Sequence, residues 1–169
     1  MGLYPQTIGN SMPHGFAGSY ARQPDMIVNT RPCGGSTNIT FGSALKYDAS
    51  GNVVKMGSGA FVGVAAREVK SSLNYLDQNT GVYAPGDPVS VFQRGSINVK
   101  CQKGTPKLGG DVYIRVVASD AAPTAVVGGF EAEADSTSSN TIKLANCKWA
   151  GSADADGVAE LRILTMQNA

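Results

Sequence analysis

Catalytic and metal-ligating residues are scarce in this chain of 169 residues. His14 is its only histidine, and it lies between a proline and a glycine, whereas a Ser-His-Asp site needs a histidine held rigidly by its neighbours. The three cysteines, Cys33, Cys101 and Cys147, are odd in number, far apart and without a Cys-x-x-Cys pair. They indicate reduced thiols rather than a disulfide framework or a zinc site. We therefore predict no enzyme activity and no catalytic, metal or cofactor site.

Charge and long apolar runs are also in short supply. Charged residues make up 16% of the chain and the net charge is +1, against about 25% charged residues in typical soluble domains. Near-neutral charge gives no reason to expect nucleic acid or an anionic membrane as a partner. No run approaches the roughly 18 apolar residues of a membrane span, and no signal peptide is visible. We expect a soluble protein that is made without export.

Two acidic patterns need separate interpretation. Asp154 and Asp156 alternate before a glycine, like the opening of a calcium loop, but the later glutamate ligand is missing. A charged turn before the last strand is the favoured interpretation. Glu131, Glu133 and Asp135 also alternate, and paired carboxylates can cleave glycosides when they face a cleft. A solvated strand face is the commoner meaning of such a row, and we predict that here.

Glycine, by contrast, is abundant, with 21 residues in the chain. Gly-Asp turns open two strand-like segments, at Gly86-Asp87 and at Gly110-Asp111, and Gly95 introduces another between them. Short segments with period-two alternation, separated by glycine-rich turns, are typical of β sandwiches and barrels. The sequence predicts a mainly β protein, a single small barrel- or sandwich-like domain with at most one short helix. The predicted strands are 39–41, 44–47, 53–56, 61–66, 89–93, 96–101, 112–117, 125–130, 141–145 and 158–164, and the only stretch with helical potential is 67–76.

Residues 1–37 differ from the rest of the chain. Prolines and glycines interrupt this zone throughout, and its aromatic residues Tyr4, Phe16 and Tyr20 follow no helical or strand period. Such a segment cannot bury a continuous face by itself. We predict an extended N-terminal arm (1–37) on a β-rich domain (38–169). An irregular segment packed on its own domain is the alternative.

Charge is unevenly distributed along the chain. Residues 1–115 carry 11 basic and 6 acidic side chains, whereas residues 116–169 carry 3 basic and 7 acidic ones. The tail of one molecule would then be attracted to the body of a neighbour. A chance scatter of surface charges is an equally good explanation.

The chain contains a series of turn-plus-strand motifs whose order resembles that of the head decoration, or structural cement, proteins of tailed bacteriophages. The motifs are Gly15-Phe16-Ala17-Gly18 with Ala21-Arg22, Ile39-Thr40-Phe41-Gly42-Ser43-Ala44-Leu45, Pro85-Gly86-Asp87-Pro88-Val89, Gly110-Asp111-Val112-Tyr113, Thr141-Ile142-Lys143-Leu144-Ala145-Asn146, Trp149, and Gly157-Val158-Ala159-Glu160-Leu161. None of them is a catalytic signature, and each is unspecific alone. Their order over most of the chain carries the resemblance.

The resemblance implies a virion structural protein that binds the outer surface of the mature major-capsid lattice and fastens neighbouring capsomers. It implies a location on the virion head after synthesis in the host cytoplasm, with the major capsid protein and further copies of this chain, as a homotrimer, for partners. Aromatic residues and arginine are the usual interface anchors. The expected contacts are Tyr4, Phe16, Tyr20 and Arg22 in the arm, with Arg94, Lys100 and Lys103 as a basic patch. Packing within the chain is the alternative for the aromatic residues.

Two other classes of protein compete with this hypothesis. A tail or fibre component that binds a host glycan would use aromatic platforms in loops, for which Tyr75, Tyr83 and Trp149 are available. A small hydrolase would have to depend on His14. Trp149 itself is better explained as a packing residue than as a ligand platform.

Overall fold

Glycine-bounded segments with alternating side chains become the strands of the protein. The computed structural model describes residues 13–67, 81–119 and 123–166. These residues form eleven strands and one short 3-10 helix, Ser138–Asn140. The strands are β1 (Tyr20–Pro32), β2 (Ile39–Thr40), β3 (Ala44–Tyr47), β4 (Val53–Lys55), β5 (Gly63–Ala65), β6 (Val82–Tyr83), β7 (Pro88–Lys100), β8 (Asp111–Arg115), β9 (Phe130–Glu131), β10 (Thr141–Trp149) and β11 (Val158–Ile163).

Nine of the strands form one curled sheet, shaped like half of a barrel. Its order is β4-β3-β5-β7-β11-β10-β8-β9, with β1 paired to β7, and β2 and β6 form a separate ribbon. The prediction of a single, mainly β domain is confirmed. The helical potential of 67–76 falls almost entirely outside the described residues. Within the described part of the chain, no helix is long and apolar enough to span a membrane.

Strand β7 connects the two halves of this sheet. It pairs with β1 over most of its length, with β5 at Val91 and Phe92, and with β11 from Gly95 to Lys100. The sequence predicts two strands here, 89–93 and 96–101, separated by Gly95. The structure has one continuous strand instead.

The predicted break nevertheless marks a real change in which side chains face the interior. Val91 packs in one core cluster, whereas Phe92, Ile97 and Val99 pack in the other. Phe92 and Ile97 are five positions apart, so an uninterrupted period of two would place them on opposite faces. Gly95, at φ +109°, lies between them. A glycine at positive φ can reset the alternation without ending the strand.

Two apolar clusters fill the interior, and β7 contributes side chains to both. The larger cluster contains Trp149, which is 1% exposed, and Phe130, whose ring meets that of Phe61 edge to face. The smaller cluster is centred on Tyr83 and Leu45. Trp149 is therefore a packing residue, as the sequence indicates.

The second half of the predicted arm belongs to the sheet. Residues 20–32 form β1, which is hydrogen-bonded to β7. This part of the zone is therefore a strand that packs on its own domain. The proposed boundary between residues 37 and 38 stays a prediction.

One of the predicted strands was wrong. The segment 125–130 is a turn that contributes only Phe130 to β9, because Gly128 adopts φ +80° and Gly129 donates to the carbonyl of Val126. Cys101 is only partly buried, since it follows the last residue of β7. All three cysteines are thiols, and burial raises the pKa of Cys147 to about 12.

Replacing Gly95 with alanine tests the role of this glycine. A Cβ atom there would overlap the carbonyl oxygen of Asp25 in β1, in addition to the cost of a positive φ. We expect a loss of about 2–4 kcal/mol in the free energy of unfolding, measured by urea denaturation. Gly51→Ala is the matched control, because Gly51 has φ +78° with open space around it. Equal losses in the two variants would contradict the steric argument.

Candidate functional site

The N-terminal segment 13–19 crosses β7 and is fastened on both sides. The backbone N–H of His14 donates to Asp154 Oδ2 at 2.9 Å, and the amide of Asn98 donates to the carbonyl of His14 at 2.7 Å. Gly18 N–H donates to the carbonyl of Asn98 at 2.7 Å. These bonds place residues 14–18 on the surface at a defined position. The ring of His14 is exposed, with Nε2 3.2 Å from the carbonyl oxygen of Ser152.

Close backbone contact holds the end of this segment. Gly18 has φ +85°, and a Cβ atom on it would come within 2.9 Å of the Gly42 nitrogen and the Ala65 carbonyl. Gly18 also accepts a hydrogen bond from the N–H of Arg67. The segment therefore has no room to shift inward.

Phe16, one of the predicted contacts, projects from this fastened segment. Its side chain is 67% exposed, and the guanidinium carbon of Arg67 lies 4.2 Å from the ring centre. A cation over an aromatic face at this distance is attractive, by roughly 0.5–1 kcal/mol at an exposed site. The pair forms an amphipathic surface suited to a partner.

The other predicted arm contacts differ in environment. Tyr20 is half-buried, with its ring 5.8 Å from that of Phe92, so it packs within the chain. Arg22 is exposed and donates from Nε to Glu160 Oε1 at 2.8 Å. Burial alone would raise the pKa of Glu160, but hydrogen bonds from Arg22 and Ser96 outweigh it and lower that pKa. Tyr4 lies outside the described residues.

The three residues of the predicted basic patch are not in one place. Arg94 and Lys100 are six positions apart on β7, or about 20 Å at the usual rise per residue. Arg94 Nε lies 3.2 Å from Asp25 Oδ1 in a pair whose side chains are both largely exposed. Lys103 Nζ lies 3.7 Å from the buried Asp135. Of these three residues, only Lys100 has no acidic partner among the described residues, and its side chain is exposed.

The alternating acidic row is not a solvated strand face, and that prediction was wrong. Glu131 is 0% exposed and Asp135 is 6% exposed, although Glu133 between them is exposed. Arg115 lies beneath them, itself 0% exposed, with Nε 2.5 Å from Glu131 Oε1 and Nη2 2.8 Å from Asp135 Oδ2. Charged groups are buried when they are paired and hydrogen-bonded. Nothing in the local sequence links Arg115 to a row sixteen or more residues later.

Asp135 also organises the loop that follows β9. Its Oδ1 accepts from the N–H of Thr137 at 3.0 Å and from the amide of Asn140 at 3.3 Å, and its own N–H donates to Thr141 Oγ1 at 3.1 Å. These bonds, with Arg115, hold the pKa of Asp135 well below its usual range. The cluster of Arg115, Glu131 and Asp135 therefore fastens β8, β9 and the start of β10 together.

The second acidic pattern forms the predicted turn. Asp154 Oδ1 accepts from the N–H of Asp156 at 3.0 Å and of Val158 at 2.9 Å, a local arrangement that opens β11. Its other carboxylate oxygen, Oδ2, accepts a hydrogen bond from the backbone N–H of His14. In residues 13–67, 81–119 and 123–166, no three His, Cys, Asp or Glu side chains are grouped as metal ligands.

Comparisons with known proteins identify the family. The model of the structural cement protein family (E217 gp24/Pam3 gp6) matches residues 4–164. The chain therefore belongs to the phage structural cement proteins, structural proteins of the phage head.

A solved structure has the same fold. One chain of "The capsid of Myoviridae Phage XM1" superposes with a TM-score of 0.68 over 97% of this chain and 99% of that one, at 18% sequence identity. No curated protein sequence matches the chain.

Removing the buried arginine should strongly destabilise the fold. Arg115→Met leaves the buried Glu131 without a cation and Asp135 with only the more distant Lys103. Breaking a buried ion pair in this way costs about 3–5 kcal/mol of unfolding free energy. Urea denaturation at neutral pH measures the loss. Arg162→Met, which removes an exposed arginine from β11, is the control and should change stability by less than about 0.5 kcal/mol. A loss below about 1 kcal/mol for Arg115→Met would contradict a structural role for the cluster.

We expect acid to destabilise the fold by protonating Asp135. Its pKa is lower in the folded chain than the value of about 3.9 for an unperturbed aspartate, so the stability it contributes is complete above about pH 4 and is lost as the pH falls below that value. We expect the free energy of unfolding to decrease more steeply from pH 4 to pH 2 in the wild type than in Asp135→Asn. Urea titrations at several pH values measure both slopes. Parallel curves would exclude Asp135 as the source of the acid sensitivity.

Proposed function

We propose that this protein binds the outer surface of the mature major-capsid lattice and fastens neighbouring capsomers, which stabilises the DNA-filled head. The observation that carries the proposal is the family match over residues 4–164. Its main partner is then the major capsid protein. It is located on the surface of the virion head after synthesis in the host cytoplasm. We also propose self-association as a homotrimer, to be tested by the mass of the free protein in solution. The role requires no catalysis.

Binding that is specific for the mature lattice has a physical consequence. A protein that binds only one state of a shell stabilises that state by mass action. Each copy needs only modest affinity when several contacts act together across a seam between capsomers. A braced scaffold suits this role, because little conformational entropy is lost when a rigid surface docks.

The environment of the aromatic residues favours this role over a glycan-binding tail component. Tyr83 and Trp149, two of the three candidate platforms, are each 1% exposed in the two apolar clusters. Sugar-binding platforms need exposed aromatic faces. The third, Tyr75, lies outside the described residues.

Co-sedimentation with shells of a candidate phage tests the proposal. Purified protein is mixed with expanded and unexpanded shells, and the bound copies are counted against the free concentration. Saturable binding to expanded shells alone is the expected result. If the folded protein binds neither kind of shell, the proposal is wrong.

Phe16→Ala tests the predicted arm contact in the same assay. Phe16 is exposed and contacts Arg67 on the surface, so truncation should leave the unfolding midpoint nearly unchanged while weakening shell binding by about tenfold. Val117→Ala, which truncates another exposed apolar side chain, is the control. Equal binding by Phe16→Ala and the wild type would remove Phe16 from the interface.

A further inference from the structure

A cleft of about 290 Å³ opens where five segments of the chain meet. These are the fastened N-terminal segment, the turn between β2 and β3, β4, the end of β7, and the loop before β9. We call it the lysine cleft. Its lining includes Ala17, Phe41, Lys55, Lys100, Gln102 and Val126.

Lys55 is an unusual residue in this cleft because it is half-buried and unpaired. Its aliphatic stem lies over Gly128, where a Cβ atom would come within 2.9 Å of the lysine Cγ. Burial lowers the pKa of Lys55. No carboxylate pairs with it in residues 13–67, 81–119 and 123–166. A partly desolvated ammonium gains from an anionic partner.

Lys100 provides a second cation on the same cleft. It ends β7 opposite Val158 and is exposed. The other predicted basic contacts already have acidic partners, namely Glu160 for Arg22, Asp25 for Arg94 and Asp135 for Lys103. The two lysines of the cleft are thus available for an external carboxylate, unlike those three residues.

The remaining walls of the cleft are rigid and partly apolar. The Gln102 amide donates to the carbonyl of Val126 and accepts from its N–H, both at 2.9 Å. Phe41 packs edge to face on the buried Tyr83, with the ring centres 5.0 Å apart. The Val126 side chain is 54% exposed at the rim. Such a site combines an anion-binding centre with apolar contacts for the flanking residues.

We propose that the lysine cleft binds an aspartate or glutamate side chain from an extended acidic segment of the capsid shell. Lys55 and Lys100 pair with the carboxylate, and Phe41 and Val126 contact the residues beside it. The inference rests on the proposed function, because that function supplies the shell as partner.

A second copy of this chain is a poorer donor of that carboxylate. Most carboxylates of the described residues are already engaged by cations or backbone N–H groups, as Asp25, Asp48, Asp111, Glu131, Asp135, Asp154 and Glu160 show. Binding one of them would break an existing contact.

The double variant Lys55→Gln/Lys100→Gln tests the assignment by co-sedimentation with expanded shells. We expect binding about tenfold weaker than that of the wild type, with a smaller decrease between low and high salt, because a screened ion pair has been removed. Lys107→Gln/Arg162→Gln, which removes two exposed positive charges outside the lysine cleft, is the charge-matched control. Arg162 is exposed and pairs with Ser96, four positions before Lys100 on β7, and the control variant should bind within twofold of the wild type.

Zero-length carbodiimide cross-linking identifies the partner, since it joins a lysine amine to a carboxylate in contact with it. A cross-link from Lys55 or Lys100 to the major capsid protein is expected. A cross-link to a second copy of this chain instead would overturn the assignment. Unchanged binding and salt dependence in the double variant would do the same. If Lys55→Gln fails to fold, the exposed Lys100→Gln alone gives the binding result.

The outcomes separate the two proposals. Wild-type protein that fails to bind shells overturns the proposed function, and the cleft assignment falls with it. Wild-type binding that the double variant retains overturns the cleft assignment alone.

Discussion

Strand β7 is the constraint on which the rest of the fold depends, because β1, β5 and β11 are all hydrogen-bonded to it. The side chains of β7 enter both apolar clusters, and their alternation changes phase between Phe92 and Ile97. Gly95 makes that change at a positive φ, where β1 passes too close for any side chain. The same strand presents Asn98, which fastens the N-terminal segment, and Lys100, which lines the lysine cleft. Core and surface are thus positioned by one element.

A buried charge cluster braces the part of the sheet farthest along the strand order from β4. Residues 132–140 contain few apolar residues and cannot be held by burial alone. Arg115 joins Glu131 and Asp135, and Asp135 in turn binds the backbone of the following loop. Buried pairs of this kind contribute little net stability, but losing one partner is costly. The cluster therefore holds the loop in one arrangement rather than adding much to the total.

The lysine cleft and the exposed pair of Phe16 and Arg67 lie close to one another. Ala17 lines the lysine cleft, and the adjoining Phe16 stacks with Arg67. The proposed function requires attachment to a shell built by other chains, and a surface that hydrogen bonds hold in place in advance loses little entropy on docking. The rigid β scaffold and the fastened N-terminal segment both reduce the entropy lost on docking.

Patterns that depend on near neighbours in the chain were readable from the sequence. Period-two alternation and glycine turns predicted a mainly β domain and most of its strands, and the motif order pointed to the family. The break at Gly95 was also visible, although its meaning was a change of phase within one strand. The pairing of Arg115 with Glu131 and Asp135 was decided by tertiary structure alone, as was the difference between the engaged Lys103 and the unpaired Lys100. Alternation and turn chemistry act over a few residues, whereas burial and charge partners depend on which distant strands the sheet brings together.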